Sequence, residues 1–219
     1  MQIILAKTAG FCFGVDRAVE MVAQSVRSGN KTATLGPIIH NRHVVERFLT
    51  LGVREIAAPE EAEPGETVII RAHGVPKQVQ RRLSDCGVSV LDATCPFVKK
   101  IHTIVKTETE KGRSIIIFGS PAHPEVEAIA SFCDRPVIVQ SPEELEKWLA
   151  EDPSRRNLPL SMVSQTTSAQ KMWEICVGIA KKECTNCEIF DTICRATEMR
   201  QEEAAILSQK CDAMVVVGD

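Results

Sequence analysis

The sequence predicts an α/β fold built on parallel sheets. Two observations carry that prediction. Short apolar runs alternate with amphipathic stretches along nearly the whole chain, and reactive polar residues recur just past the ends of those runs. Strand-like runs fall at 3–6, 33–35, 67–71, 89–92, 114–118, 137–140, 161–164, 188–191 and 213–217. Helical patterns lie between them at 15–28, 41–51, 76–86, 97–111, 124–132, 142–150, 168–182 and 195–209. Strands separated by such helices imply βαβ units. The run Ser114-Ile-Ile-Ile-Phe118 is apolar throughout, as expected of a strand covered on both faces. Proline and glycine mark the joins, at Gly36-Pro37, Gly74-Val75-Pro76, Cys95-Pro96, Gly119-Ser120-Pro121 and His123-Pro124. The polar, proline-bearing segment 151–159 is predicted to be an exposed loop. There is no literal sequence repeat.

Bulk properties narrow the class. A chain of 219 residues, 44% hydrophobic, suits one large domain or two to three small α/β units. Net charge is −3 with no block of like charge, which argues against a nucleic-acid or membrane-surface binder. The first twenty residues lack a basic region followed by an apolar core, so no secretory signal is expected. No stretch approaches ~18 uninterrupted apolar residues, so no transmembrane helix is expected. Nine cysteines without a signal predict reduced thiols in a cytoplasmic protein. With no tyrosine and two tryptophans, stacking platforms for bases are scarce.

The positions of the reactive residues are more informative. Cys12 follows the first run, His40 the second, His73 the third and Cys95 the fourth. His123 and Glu125 follow 114–118, Thr166 follows 161–164, and Cys194 follows 188–191. In open parallel sheets, ligands bind beyond the carboxyl ends of the strands.

Cys12, Cys95 and Cys194 also precede predicted helices, where amide donors and the dipole favour thiolates. Thiolates suit zinc or iron–sulfur clusters, and three protein ligands leave one position open, as in a catalytic site. A lone cytosolic cysteine is more often a small buried hydrophobe, and it is the shared placement that favours ligation. Cys133 and Cys176 read as packing residues. Cys184-Thr-Asn-Cys187 is a C-x-x-C, but it lacks a second pair at zinc-ribbon spacing.

His40, His73 and His123 sit at strand-to-helix junctions, where imidazoles and helix N-termini can hold phosphate oxygens. His43 and His102 fall within helical patterns and read as surface or packing residues. Glu125 opens a helix. It is an ordinary dipole partner there, unless it faces a cluster and a phosphate, in which case its proton affinity rises and it suits proton delivery. Gln165-Thr166-Thr167-Ser168 caps the next helix, and its hydroxyls are placed to orient a substrate oxygen or a proton relay.

Taken together, the motifs resemble those of the 4-hydroxy-3-methylbut-2-enyl diphosphate reductases, the LytB-type enzymes of the non-mevalonate isoprenoid pathway. The matching stretches are Ala9-Gly-Phe-Cys-Phe-Gly-Val15, Gly36-Pro-Ile-Ile-His-Asn41, Arg71-Ala-His-Gly74, Asp92-Ala-Thr-Cys-Pro96, His123-Pro-Glu125, Gln165-Thr-Thr167 and Asp191-Thr-Ile-Cys-Arg-Ala-Thr197, with Arg200-Gln201. They run in family order along the whole chain. The resemblance implies three similar α/β units with mainly parallel sheets around a central cavity. These units would be 14–95, 96–193, and an incomplete third made of 1–13 plus 194–219. Family members continue past the Val215-Val-Val-Gly218 strand with a Ser/Asn-rich diphosphate-binding loop, so the third unit is expected to be truncated here.

The resemblance also implies a [4Fe–4S] cluster on Cys12, Cys95 and Cys194, with one iron open to the substrate's 4-hydroxyl. Two electrons and two protons would remove that hydroxyl as water, giving isopentenyl and dimethylallyl diphosphate. Glu125 takes the proton-donor position. His40, His73 and His123 take the diphosphate-facing positions, and Thr166 lies near the hydroxyl with Thr167 as its neighbour. The expected electron donor is ferredoxin- or flavodoxin-like. Two other readings differ in class. One is a non-catalytic zinc- or cluster-binding module using Cys184 and Cys187. The other is a phosphoester hydrolase with zinc on His40, His73 and His123.

Overall fold

The computed structural model describes residues 2–217. The chain separates into two units: Phe11–Lys99, and Lys100–Val216 with the segment up to Gly10. Each contains a parallel four-stranded sheet, so the α/β class predicted from the alternation is the one that forms.

In the first unit the order is α1 (Phe13–Arg27), β1 (Lys31–Leu35), α2 (Arg42–Thr50), β2 (Arg54–Ile56), a 3-10 turn at Pro59–Glu61, β3 (Glu66–Ile70), α3 (Lys77–Asp85) and β4 (Ser89–Asp92). The sheet runs β2-β1-β3-β4, with Lys31 to Leu35 in register against Glu66 to Ile70. β3 is buried along its length because both faces are covered. Ile69 packs with Ala18, Val22 and Phe48 of α1 and α2, whereas Val68 and Ile70 pack with Leu83 of α3. α1 buries Gly14, Ala18, Val22 and Ser25, a stripe at helical spacing.

The second unit repeats the plan. α4 (Pro96–Glu110) leads into β5 (Ser114–Phe118), followed by α5 (Pro124–Ala130), β6 (Val137–Val139), α6 (Pro142–Glu151) and a 3-10 turn at Pro153–Asn157. Then come β7 (Leu160–Ser164), α7 (Gln170–Glu183), β8 (Cys187–Ile189) and α8 (Arg195–Ser208). The order β6-β5-β7-β8 is that of the first sheet shifted by four strands. Ile116, Phe118, Leu160 and Met162 pack with Leu145, Leu149 and Trp173 on one face. Ile115, Ile117 and Val163 pack with Ile101, Val105, Val126 and Ile129 on the other.

Two expected strands are corrected: residues 3–6 and 213–217 do not form strands, and the described residues make two sheets. A strand needs a hydrogen-bonded neighbour as well as apolar side chains. Neither segment has a ladder partner, and Ile3 and Val217 stay 83% and 92% exposed. Gly218, the end of the expected 215–218 strand, lies outside the described residues. β2, with two charged residues in three, gave no apolar signal; it forms by pairing with β1, and Arg54 meets the buried Glu66 at 2.8 Å. The 151–159 segment contains a short 3-10 turn where a loop was predicted.

Candidate functional site

In both sheets the strand order reverses between the two central strands, the place where open α/β sheets bind ligands. His40, His73, His123, Glu125, Thr166 and Thr167 follow the central strands, Cys95 and Cys194 follow the edge strands β4 and β8, and Cys12 precedes α1 with no strand before it among the described residues.

In the first unit, His40 follows β1 and His73 follows β3, and their rings meet with centroids 4.2 Å apart, tilted by 39°. The turn beneath them is shaped by Gly36, whose φ of +71° suits glycine and whose Cβ would lie 2.8 Å from the Arg71 guanidinium. Arg71 donates to the Gly74 carbonyl at 3.2 Å and so braces the His73 loop.

Cys12 is the N-cap of α1, with extended backbone and no side-chain capping bond. Its carbonyl accepts the Asp16 N–H at 2.9 Å. Cys95 immediately precedes α4. Its N–H donates to the Ala72 carbonyl at 2.9 Å, and its carbonyl accepts from Lys99 at 3.0 Å. Asp92 steadies the approach, accepting the Thr94 N–H at 2.9 Å and pairing with Lys99 at 2.6 Å. The first turn of α1 lies directly on Cys95, since a Cβ on Gly14 would come within 2.6 Å of the Cys95 Sγ.

The second unit uses the same device. Cys194 is the N-cap of α8, again with no side-chain capping bond. Its N–H donates to the Thr166 carbonyl at 2.9 Å, and its carbonyl accepts from Glu198 at 3.1 Å. Asp92-Ala-Thr-Cys95 and Asp191-Thr-Ile-Cys194 are thus equivalent: D-x-x-C, an amide tied to the second residue past the third strand, then a helix.

His123 caps α5, its Nδ1 accepting the Glu125 N–H at 3.1 Å, which leaves the proton of the neutral ring on Nε2. Glu125 is 2% exposed. One carboxyl oxygen accepts the Thr166 N–H at 2.6 Å and the other accepts the Thr166 hydroxyl at 2.7 Å. Burial pushes this carboxyl above the ordinary carboxylate range, and the two Thr166 bonds only partly oppose it. Thr167 is exposed, and its hydroxyl accepts from Gln165 at 2.8 Å. Gln165 in turn holds the Ser120 N–H at 3.1 Å. A side chain on Gly119 would collide with Gln165 and Val126, so the turn after β5 has room for glycine only.

Several working residues were given no role from sequence, although Arg200 and Gln201 stand in the matching stretches. Arg17 donates to the Thr94 and Asp92 carbonyls, at 3.2 Å each. Arg200 donates to the carbonyls of Thr8 (3.1 Å) and Gly10 (2.6 Å). Glu203 accepts the N–H groups of Lys7 and Thr8. Gln201 binds the Gln170 N–H and the Ser168 carbonyl, both at 3.1 Å. All bond to backbone distant in sequence, which no local pattern announces.

Cys184 and Cys187 pack against the core of the second unit. Burial pushes both thiols up, Cys187 to about 11. Partly buried thiols pushed up in this way are poor thiolate donors. Cys176 lies in the same core, and burial pushes it up to about 11 as well. His102 stacks on Phe132 at 4.4 Å.

Fold and strand-end chemistry together define an α/β protein that presents helix-starting cysteines and a buried carboxyl whose proton affinity burial raises. The chain belongs to the LytB protein family, whose model matches residues 3–219. It is 42% identical to the 4-hydroxy-3-methylbut-2-enyl diphosphate reductase of Caldanaerobacter subterraneus subsp. tengcongensis, an alignment covering 100% of this chain and 75% of that protein. It is 40% identical to the enzyme of the same name from Citrifermentans bemidjiense, with the same coverage. Among solved structures, it is similar to an (E)-4-hydroxy-3-methyl-but-2-enyl diphosphate reductase described as the terminal enzyme of the non-mevalonate pathway. The TM-score is 0.78 at 36% identity, covering 99% of this chain and 76% of that one. The Plasmodium falciparum E-1-hydroxy-2-methyl-but-2-enyl-4-diphosphate reductase gives a TM-score of 0.88 at 28% identity, covering 96% and 66%.

Proposed function

We propose that this chain reduces 4-hydroxy-3-methylbut-2-enyl diphosphate to isopentenyl and dimethylallyl diphosphate, with a [4Fe–4S] cluster held by Cys12, Cys95 and Cys194. The observation that carries the reading is whole-chain likeness to reductases of that name, at 42% identity. The cysteines suit the group. Cysteine sulfur is the usual ligand of such a cluster, each of the three opens a helix, and Cys12 and Cys194 use no sulfur atom to cap it. At Cys95, Gly14 keeps the sulfur clear of a competing side chain.

When bound, the cluster supplies electrons and an iron that polarises the substrate hydroxyl. The rest of the chemistry belongs to the chain. Removing the hydroxyl as water takes two electrons and two protons. Burial disfavours the charged form of Glu125 and raises its proton affinity, which suits it to serve as the donor. Thr166 fixes the carboxyl by two hydrogen bonds, with its hydroxyl as a link toward the substrate oxygen. His40, His73 and His123 bind diphosphate oxygens, helped by the N-terminus of α5. Thr167 is a further substrate contact. The two electrons come from a ferredoxin- or flavodoxin-like donor.

Anaerobic purification with iron and sulfide counting, followed by an assay with the diphosphate substrate, tests the reading. Cluster content with product formation is expected. Zinc in place of iron and sulfide would sink it. Cys95→Ser is expected to bleach the cluster, whereas Cys184→Ser and Cys187→Ser leave it intact. Loss of metal in the last two would favour the non-catalytic module.

A further inference from the structure

We propose that Arg17 is a positioning residue that locks the Cys95 loop onto α1, so that Cys12 and Cys95 are presented as a fixed pair. The proposal rests on the cluster reading above. Cys12 caps α1, and two residues on one face of that helix, Gly14 and Arg17, meet the chain around Cys95. Gly14 admits the Cys95 sulfur, and Ala18, one turn on from Gly14, is wholly buried in the cluster that also contains Ala93.

Arg17 reaches the carbonyls of Asp92 and Thr94 with two different nitrogens. Those carbonyls lie on the connection that β4 sends to Cys95. The backbone bonds of Cys95 run elsewhere: its amide to Ala72 and its carbonyl to the Lys99 amide. Arg17 supplies two polar bonds that fasten this connection to the helix opened by Cys12. A forked guanidinium binds two carbonyls at once, and bonds from a charged donor are among the stronger ones. A lysine ammonium at the same place lacks the fork.

The test uses the anaerobically purified holoprotein with Arg17→Ala and Arg17→Lys. Loss of iron to a chelator is expected to be about tenfold faster in Arg17→Ala, the consequence of losing two charge-assisted bonds. The reduction potential and EPR signal should shift, with Arg17→Lys intermediate in all three. A role in stability alone would lower the melting temperature and leave the potential and EPR signal of the folded fraction unchanged, which would overturn the proposal. Should Arg17→Ala not fold, Arg17→Lys decides alone, and wild-type retention and potential in it would overturn the clamp. Should the wild-type chain take up no iron and sulfide, the cluster reading itself fails. Deuterium exchange on the chain as purified then judges Arg17: the Thr94 and Cys95 amides should exchange about tenfold faster in Arg17→Ala, and unchanged exchange there sinks the clamp.

Discussion

At the scale of single residues, Glu125 concentrates the chemistry. Its carboxyl is buried, and both of its oxygens are held by Thr166. Because burial raises its proton affinity, the protonated, donating form persists to higher pH than for an ordinary glutamate. Turnover is therefore expected to hold at low pH and fall as pH rises through that elevated value. Glu125→Gln should keep the wild-type iron and sulfide count and lose most turnover, by about 10²-fold or more. Full activity in that variant removes the proton-delivery role. Thr166→Val keeps the N–H bond and deletes the hydroxyl bond. It should push the carboxyl higher still and move the falling limb of the pH profile to higher pH. The sequence announced Glu125 by its place after a strand, but not by its partner. Thr166 lies 41 positions away, and only the parallel pairing of β5 with β7 brings the two together.

At the scale of elements, the recurring unit is strand, short turn, capped helix. It was legible because apolar runs and helical stripes follow from burial on known faces. Ser89–Asp92 and Ser114–Phe118 form where they were expected. β2 was not legible, because its three residues are held by pairing with β1 rather than by apolar burial. The terminal segments failed for the opposite reason, having apolar residues but no ladder. Close packing at the turns was likewise hidden. Gly14→Ala would drive a methyl to 2.6 Å from the Cys95 sulfur, so the helix or the loop must shift. A loss of about 1–3 kcal/mol in urea unfolding is expected, together with weakened iron retention. If Gly14→Ala matches the wild type in both, α1 and the Cys95 loop are not in contact in solution.

At the scale of the molecule, one strand order is used twice, and the sequence concealed this because the two halves share almost no residues beyond D-x-x-C. The second unit also contains a polar knot at the start of its sheet. Glu108, nearly buried, accepts from Ser161 at 3.0 Å and from Lys111 at 2.7 Å, and Arg113 is at 3.4 Å. Burial alone would raise the Glu108 carboxyl, but the Lys111 and Ser161 bonds and the Arg113 charge outweigh it and hold it below the usual range. Its contribution is thus present above the unfolded carboxyl's pKa and lost as pH falls through the lower folded value. Glu108→Ala should cost about 2–3 kcal/mol at neutral pH and less in acid, read from unfolding curves at both. Equal losses at both would mean that packing, not charge, is the cause. Ile3, Leu5, Val215, Val216 and Val217 are each more than 80% exposed. Apolar side chains shown to water in this number promote self-association. Light scattering should rise with protein concentration and fall in Val215→Lys.

Thr166 also anchors Cys194 through its carbonyl, so one residue is shared by the acid and by a sulfur. A mutation or thermal fluctuation that displaces the exit of β7 drags both groups the same way. Their spacing is therefore insulated from distortions that would scatter a constellation gathered from unrelated loops, and errors introduced elsewhere in the unit reach the proton and the thiol as a common drift.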